Sequence, residues 1–150
     1  MSRIVASFGG VGFWPVAPGT AGSAVAVGLG AAIMQGPGWL LPAAATAAAI
    51  AGFISIPRAV TERDADPGWV VIDEVAGQWV AMLGLAAPTW SGLLLAFLLF
   101  RVVDVWKPGP VGWADSKHGA FGIMVDDLVA GAIVAMLLIA LRFVIPGGLP

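Results

Sequence analysis

Two pairs of adjacent carboxylates stand at the start of apolar stretches of the chain. Asp73 and Glu74 precede one such stretch, and Asp126 and Asp127 precede another. Either pair could simply favour the positive end of a helix dipole, worth about 0.3–1 kcal/mol, with Asp126 capping its helix. Like charges this close repel unless a cation or a shared proton offsets them, and carboxylate oxygens suit hard cations. Because the pattern occurs twice, we expect a site for a hard divalent cation.

A third segment combines one carboxylate with two cations. Arg101 and Asp104 are three residues apart, so they share a helix face and could form a simple ion pair. Alternatively, Asp104 is a further metal ligand, while Arg101 and Lys107 bind the oxygens of a phosphate group. The residues alone favour neither interpretation.

The segment from Pro15 to Ser23 is rich in proline and glycine and leads into an apolar stretch. The first amides of a helix lack intrahelical partners, and they favour an anion together with the helix dipole. Thr20 and Ser23 add hydroxyl groups, so the segment is a candidate phosphate-binding site. The alternative is a plain helix start, in which Thr20 caps the helix and Ser23 packs inside.

The composition is that of a membrane protein. Apolar residues make up 59% of the 150 residues and charged residues 11%, and the mean hydropathy is +0.96. Average soluble domains carry about 25% charged residues, so we expect a single membrane-embedded domain. Seven basic residues and a net charge of −2 argue against a nucleic-acid binder. The lack of cysteine and the single histidine, His118, exclude thiolate chemistry and two-histidine sites.

The apolar stretches predict an all-α membrane bundle with about five membrane helices and one short surface helix. A membrane helix needs about 20 residues, or fewer where the span is short. Prolines at the ends of several stretches are typical of helix termination. The expected spans are Thr20–Gln35, Trp39–Ile56, Val70–Ala87, Thr89–Trp106 and Asp126–Ile145, and the surface helix is Thr61–Asp66.

An up-and-down arrangement of these spans gathers the charges at one face. All nine acidic residues and six of the seven basic residues lie there, and only Arg142 lies at the opposite face. The positive-inside rule places the charged face in the cytoplasm. We expect Asp115, Lys117 and His118, in the polar segment before the last span, to be solvated. The first nineteen residues lack the apolar run of a secretory signal, so we expect no cleaved signal.

Four segments together resemble the phosphatidylglycerophosphatase A family, from about Gly9 to Gly131. Their order and spacing are specific, although each segment alone is not. The chain departs from the expected pattern at Gly109 and Ala120, and neither departure removes a candidate ligand. The residues that carry the resemblance are Ala17-Pro18-Gly19-Thr20 with Gly22-Ser23, Ile72-Asp73-Glu74 with Gly77, Phe100-Arg101 with Asp104 and Lys107-Pro108-Gly109-Pro110, and Gly122-Ile123-Met124 with Asp126-Asp127 and Ala130-Gly131.

The resemblance implies a Mg²⁺-dependent lipid phosphatase of the bacterial inner membrane. Such an enzyme hydrolyses phosphatidylglycerophosphate to phosphatidylglycerol and inorganic phosphate, and the family fold is a helical bundle around a central helix. Together with the chemistry of the residues, the resemblance implies catalytic roles for Asp73, Glu74, Asp104, Asp126 and Asp127. The metal ligands are then Asp73, Glu74, Asp104 and Asp127. The phosphate-binding residues are Thr20, Ser23, Arg101 and Lys107.

Two alternatives remain at this point. The metal could activate a water molecule, or an aspartate could form a covalent phosphate intermediate. The chain could also be a small non-enzymatic membrane protein, such as a transporter subunit or an assembly factor. Acids buried in the middle of spans would favour that class. The clustering of the acids at helix ends on one face instead favours chemistry on a lipid headgroup.

Overall fold

A computed structural model describes residues 1–60, 67–117 and 119–144, which contain seven α-helices, one short 3₁₀ helix and no strand. The predicted surface helix Thr61–Asp66 and His118 lie outside these residues. The prediction of an all-α fold is confirmed. The α-helices are α1 (Ser2–Ala6), α2 (Pro18–Ile33), α3 (Leu40–Ala59), α4 (Ile72–Met82), α5 (Trp90–Trp106), α6 (Pro110–Asp115) and α7 (Gly119–Val144), and the 3₁₀ helix is Val11–Phe13.

The prediction of about five membrane helices is not confirmed. Within the described residues, only α3 and α7 are long and apolar enough to cross a membrane, with 20 and 26 residues. The third predicted span, Val70–Ala87, is longer than the helix observed there. Helix α4 has only 11 residues and is therefore about 16 Å long. The last apolar residues of the predicted span form a turn in which Gly84 lies against α7, with the carbonyl oxygen of Ala135 2.6 Å from where a Gly84 Cβ would be.

Helix α4 is the centre of the bundle. It packs against α2, α3, α5 and α7, and nine of its eleven residues are buried. The indole nitrogen of Trp79 donates a hydrogen bond to the carbonyl oxygen of Ala26 on α2, at 2.8 Å. The indole nitrogen is the only polar atom of the buried Trp79 side chain, and this bond gives it a partner. The bond also fixes α2 alongside α4.

Two glycines let α4 and α7 touch along their backbones. A Cβ at Gly77 would lie 2.5 Å from the carbonyl oxygen of Asp127, and a Cβ at Gly131 would collide with the carbonyl oxygen of Gly77. Since only glycine lacks a Cβ, these positions permit the close approach. The contact places the start of α4, with its two acidic residues, beside the acidic pair of α7.

Candidate functional site

A cavity of about 270 Å³ lies where α4 and α7 begin and α5 ends. Its walls come from these three helices and from the α6–α7 connection, so it brings together residues distant in sequence. Every carboxylate that the sequence marked as catalytic lines it. The charged lining residues are Asp73, Glu74, Asp104, Asp115, Asp126 and Asp127, with Lys107 and Lys117.

Three of these carboxylates form a compact cluster. One oxygen each from Asp73, Glu74 and Asp127 lie within 4.8 Å of one another. Oxygens bound to a single Mg²⁺ at about 2.1 Å are roughly 3–4 Å apart in an octahedral arrangement. A modest closure around a cation would therefore bring all three into ligand range, and the donor set suits a hard divalent ion.

The cluster contains polar atoms that lack partners. Among the described residues, Asp73 Oδ1 and Glu74 Oε2 are buried without a hydrogen bond. Buried polar atoms almost always have a partner, because leaving a charged one unpaired costs several kcal/mol. Each of these atoms is an oxygen that can accept but, when ionised, cannot donate. A bound cation would supply the missing interaction for both.

Burial also makes the charged state of these acids unfavourable. It raises the pKa of Asp73. Burial, followed by the neighbouring Asp73 carboxylate, raises the pKa of Glu74 well above its ordinary value. A cation between the two carboxylates would oppose both effects, since an opposite charge within about 4–6 Å favours ionisation. The electrostatics therefore agree with the geometry of the cluster.

Asp104 lies at the cavity wall and is paired with Arg101. Arg101 lies about one turn before Asp104 on α5, and its guanidinium Nη1 is 2.5 Å from Asp104 Oδ2. The three-residue spacing permits this ion pair. The ion-pair interpretation of this segment is thus observed. The roles of Asp104 as a metal ligand and of Arg101 as a phosphate ligand stay predictions.

Lys107 holds two carboxylates at the cavity. Its Nζ donates to Asp126 Oδ2 at 2.7 Å and also to Asp115. Burial lowers the pKa of Lys107, but the hydrogen bonds to Asp115 and Asp126 outweigh this effect and raise it. The residue adopts a left-handed conformation with φ of 50° immediately after α5, which turns the chain into α6. Its predicted role in phosphate binding is untested by this geometry.

The expectation that Asp126 and Asp127 open their helix is wrong. α7 begins at Gly119, about two turns earlier, so Asp126 does not cap it. Consecutive helical residues point about 100° apart, and here they serve different partners. Asp127 joins the three-carboxylate cluster, whereas Asp126 bonds Lys107.

The predicted phosphate-binding hydroxyls lie outside the cavity lining. Ser23 is fully buried, and its hydroxyl donates to the carbonyl oxygen of Gly19 at 2.9 Å. Thr20 is exposed on the first turn of α2. The space beside that turn is taken by Glu74, with which a Cβ at Gly19 would collide. The start of α2 therefore adjoins the acidic cluster.

Two lining residues were expected to be solvated. Asp115 and Lys117 are exposed, yet both line the cavity. Lys117 Nζ lies 4.7 Å from the centroid of the Trp113 ring. No sequence signal identified them as site residues, because only the return of the chain from α6 into α7 brings them to the cavity.

Comparisons with known proteins agree with the sequence motifs. The profile of the family described as Phosphatidylglycerophosphatase A matches residues 4–142. A phosphatidylglycerophosphatase A of Escherichia coli (strain K12) is 34% identical over 131 residues, covering 86% of this chain and 76% of the relative. A Bacteroides thetaiotaomicron protein named "Putative phosphatidylinositol-3-phosphatase" is 35% identical over 147 residues, covering 91% and 90%. No solved structure matches significantly.

Proposed function

The chain belongs to the phosphatidylglycerophosphatase A family and is a phosphatase, a hydrolase of phosphoric monoesters, and we propose that its substrate is phosphatidylglycerophosphate. The products are phosphatidylglycerol and inorganic phosphate. The observation that carries the proposal is the cavity with its cluster of Asp73, Glu74 and Asp127. Two relatives named phosphatidylglycerophosphatase A support the choice of lipid.

We further propose that the reaction requires Mg²⁺. Asp73, Glu74 and Asp127 would hold the ion, with Asp104 as a further ligand from α5. When bound, the ion supplies charge stabilisation for phosphoryl oxygens and a more acidic water. Six carboxylates and two lysines line the described cavity, so an anionic phosphate would be repelled without added positive charge. This imbalance and the two unpartnered carboxylate oxygens support the metal requirement.

Ion pairs at the cavity and beside it hold the carboxylates that lie outside the three-carboxylate cluster. Lys107 binds Asp126 and Asp115 and so ties the end of α5 to α6 and α7. Arg101 binds Asp104 and sets its carboxylate at the wall. Preorganised charges are more effective than ones that must rearrange during the reaction. These pairs therefore favour catalysis even where they do not touch substrate.

The surface of the bundle supports insertion in a membrane. Large apolar side chains face outward on α3, α5 and α7, among them Ile54, Leu94, Leu98, Met136 and Phe143, each 50% exposed or more. Many exposed large apolar side chains are unfavourable in water but match lipid. We propose that α2 and α5 insert together with the two longer helices, in the bacterial inner membrane, with the cavity facing the cytoplasm.

Phosphate release by the purified full-length protein tests the function. The lipid is supplied in mixed detergent micelles with Mg²⁺, with a chelator, and with Mg²⁺ restored in excess after chelation. We expect release in the first and third conditions only. Phosphatidylinositol 3-phosphate is the second substrate, because one relative carries that name. Release from phosphatidylinositol 3-phosphate alone, or from neither lipid, would contradict the proposed substrate, and full turnover after chelation would contradict the metal requirement.

A further inference from the structure

The cations around the cavity differ in whether a carboxylate engages them. Lys107 is bonded to Asp115 and Asp126, and Arg101 is bonded to Asp104. Among the residues that the structure describes, no carboxylate pairs with Lys117, although it lines the same cavity. Lys117 is therefore the lining cation available to an anionic ligand.

The backbone of Lys117 is held in place while its side chain is exposed. Its amide donates to the carbonyl oxygen of Ala114 at 2.9 Å, at the end of α6. Its carbonyl packs so closely on Gly122 of α7 that a Cβ there would collide with it. The ammonium lies over the Trp113 ring, where the ring face attracts the positive charge. Lys117 is thus a positioned charge at the rim, unlike the buried carboxylates deeper in the cavity.

The proposed substrate carries two phosphate groups. The terminal phosphomonoester is the one that is cleaved, and a phosphodiester joins the glycerol to the diacylglycerol. When the phosphomonoester reaches the buried carboxylates, the glycerol leads outward and the phosphodiester stays near the opening. A positive charge at the rim is therefore placed for the second phosphate rather than for the first.

We propose that Lys117 binds the phosphodiester of the lipid substrate and so favours lipids that carry this second phosphate. This inference rests on the proposed function. Lys117 contributes to substrate binding and not to the chemical step, because its ammonium is at the rim. Lysine suits the role as a point charge, which does not need the fixed geometry of a guanidinium.

Substitution of Lys117 tests the proposal in the full-length protein with Mg²⁺. For Lys117→Gln we expect about a tenfold rise in KM for phosphatidylglycerophosphate and little change in kcat. Inorganic phosphate, which lacks the diester, should inhibit the variant and the wild type with the same Ki. Lys117→Arg should recover most of the affinity. The matched control is Arg58→Gln, which removes an exposed charge outside the cavity lining and should behave like the wild type. Within residues 1–60, 67–117 and 119–144, its hydrogen bond is to its own helix, at Ile54.

Three results would overturn the proposal. An unchanged KM in Lys117→Gln would show that the residue does not bind substrate. A parallel rise in Ki for inorganic phosphate would place it on the phosphomonoester instead. An equal rise in KM for Arg58→Gln would show a general attraction of anionic lipid. If the wild type itself releases no phosphate from this lipid, the proposed function fails first, and the role of Lys117 fails with it.

Discussion

Replacing Gly77 by alanine should weaken the site without touching a carboxylate. The new Cβ would lie 2.5 Å from the carbonyl oxygen of Asp127 and 2.8 Å from the Phe100 ring, whereas an ordinary contact is at least 3.4 Å. The opposing atom is backbone, so α4 and α7 must separate by about 0.9 Å to restore that contact. Asp127 would move with its helix, away from Asp73 and Glu74.

The expected loss of Mg²⁺ affinity in Gly77→Ala follows from the small displacement of its ligands that a metal site tolerates. Distances between a metal and its ligands hold to within about 0.2 Å, and mutation of the groups that orient the ligands costs about 10–100-fold in metal affinity or activity. We therefore expect the Mg²⁺ concentration for half-maximal activity to rise at least tenfold in Gly77→Ala. Overpacking should also lower the free energy of unfolding by about 1–3 kcal/mol.

The matched control is Gly28→Ala on α2. Gly28 is also in a helix, but a Cβ there meets nothing within 4 Å. Alanine is favoured over glycine in a helix by about 0.8–1 kcal/mol, so this variant should be at least as stable as the wild type. Phosphate release is measured against Mg²⁺ concentration, with thermal unfolding in the same detergent. The same Mg²⁺ dependence in both variants would refute the idea that the α4–α7 backbone contact positions the site.

Three further predictions concern the site and its orientation. Asp127→Asn should nearly abolish turnover and Mg²⁺ binding while the protein stays folded; ordinary rates in a folded variant would contradict its assignment as a ligand. Gly19→Ala should lower activity by displacing Glu74, whose carboxylate occupies the space for the new Cβ, and wild-type Mg²⁺ dependence would count against this. Single cysteines that replace Ser116 and Gly148 should differ in their labelling by an impermeant thiol reagent in intact spheroplasts. Gly148 should label directly and Ser116 only after permeabilisation, and the reverse would place the cavity outside.

The sequence by itself indicated the all-α class of the structure and the family, whereas the metal site that it predicts stays a prediction. Its apolar content and long uncharged stretches predict a helical bundle, because backbone polar groups in lipid must be satisfied within the helix. The acidic pairs predict a hard-cation site, because adjacent carboxylates repel unless a cation or a shared proton offsets them, and carboxylate oxygens suit hard cations. Both signals are local, carried by residue types and short spacings, and so they are readable without coordinates.

Only the tertiary structure decided which residues meet. Local spacing does not separate Asp126 from Asp127, and only the family resemblance singled out Asp127 as a ligand. In the structure, the contact of α7 with α4 places Asp127 in the cluster, whereas Asp126 bonds Lys107. The length of α4 was decided in the same way, because Gly84 packs against α7 where hydropathy predicts a continuing span. Lys117 reaches the cavity through the packing of its carbonyl on Gly122. Each outcome depends on close packing between segments far apart in the chain, and residue spacing within one segment carries no information about that packing.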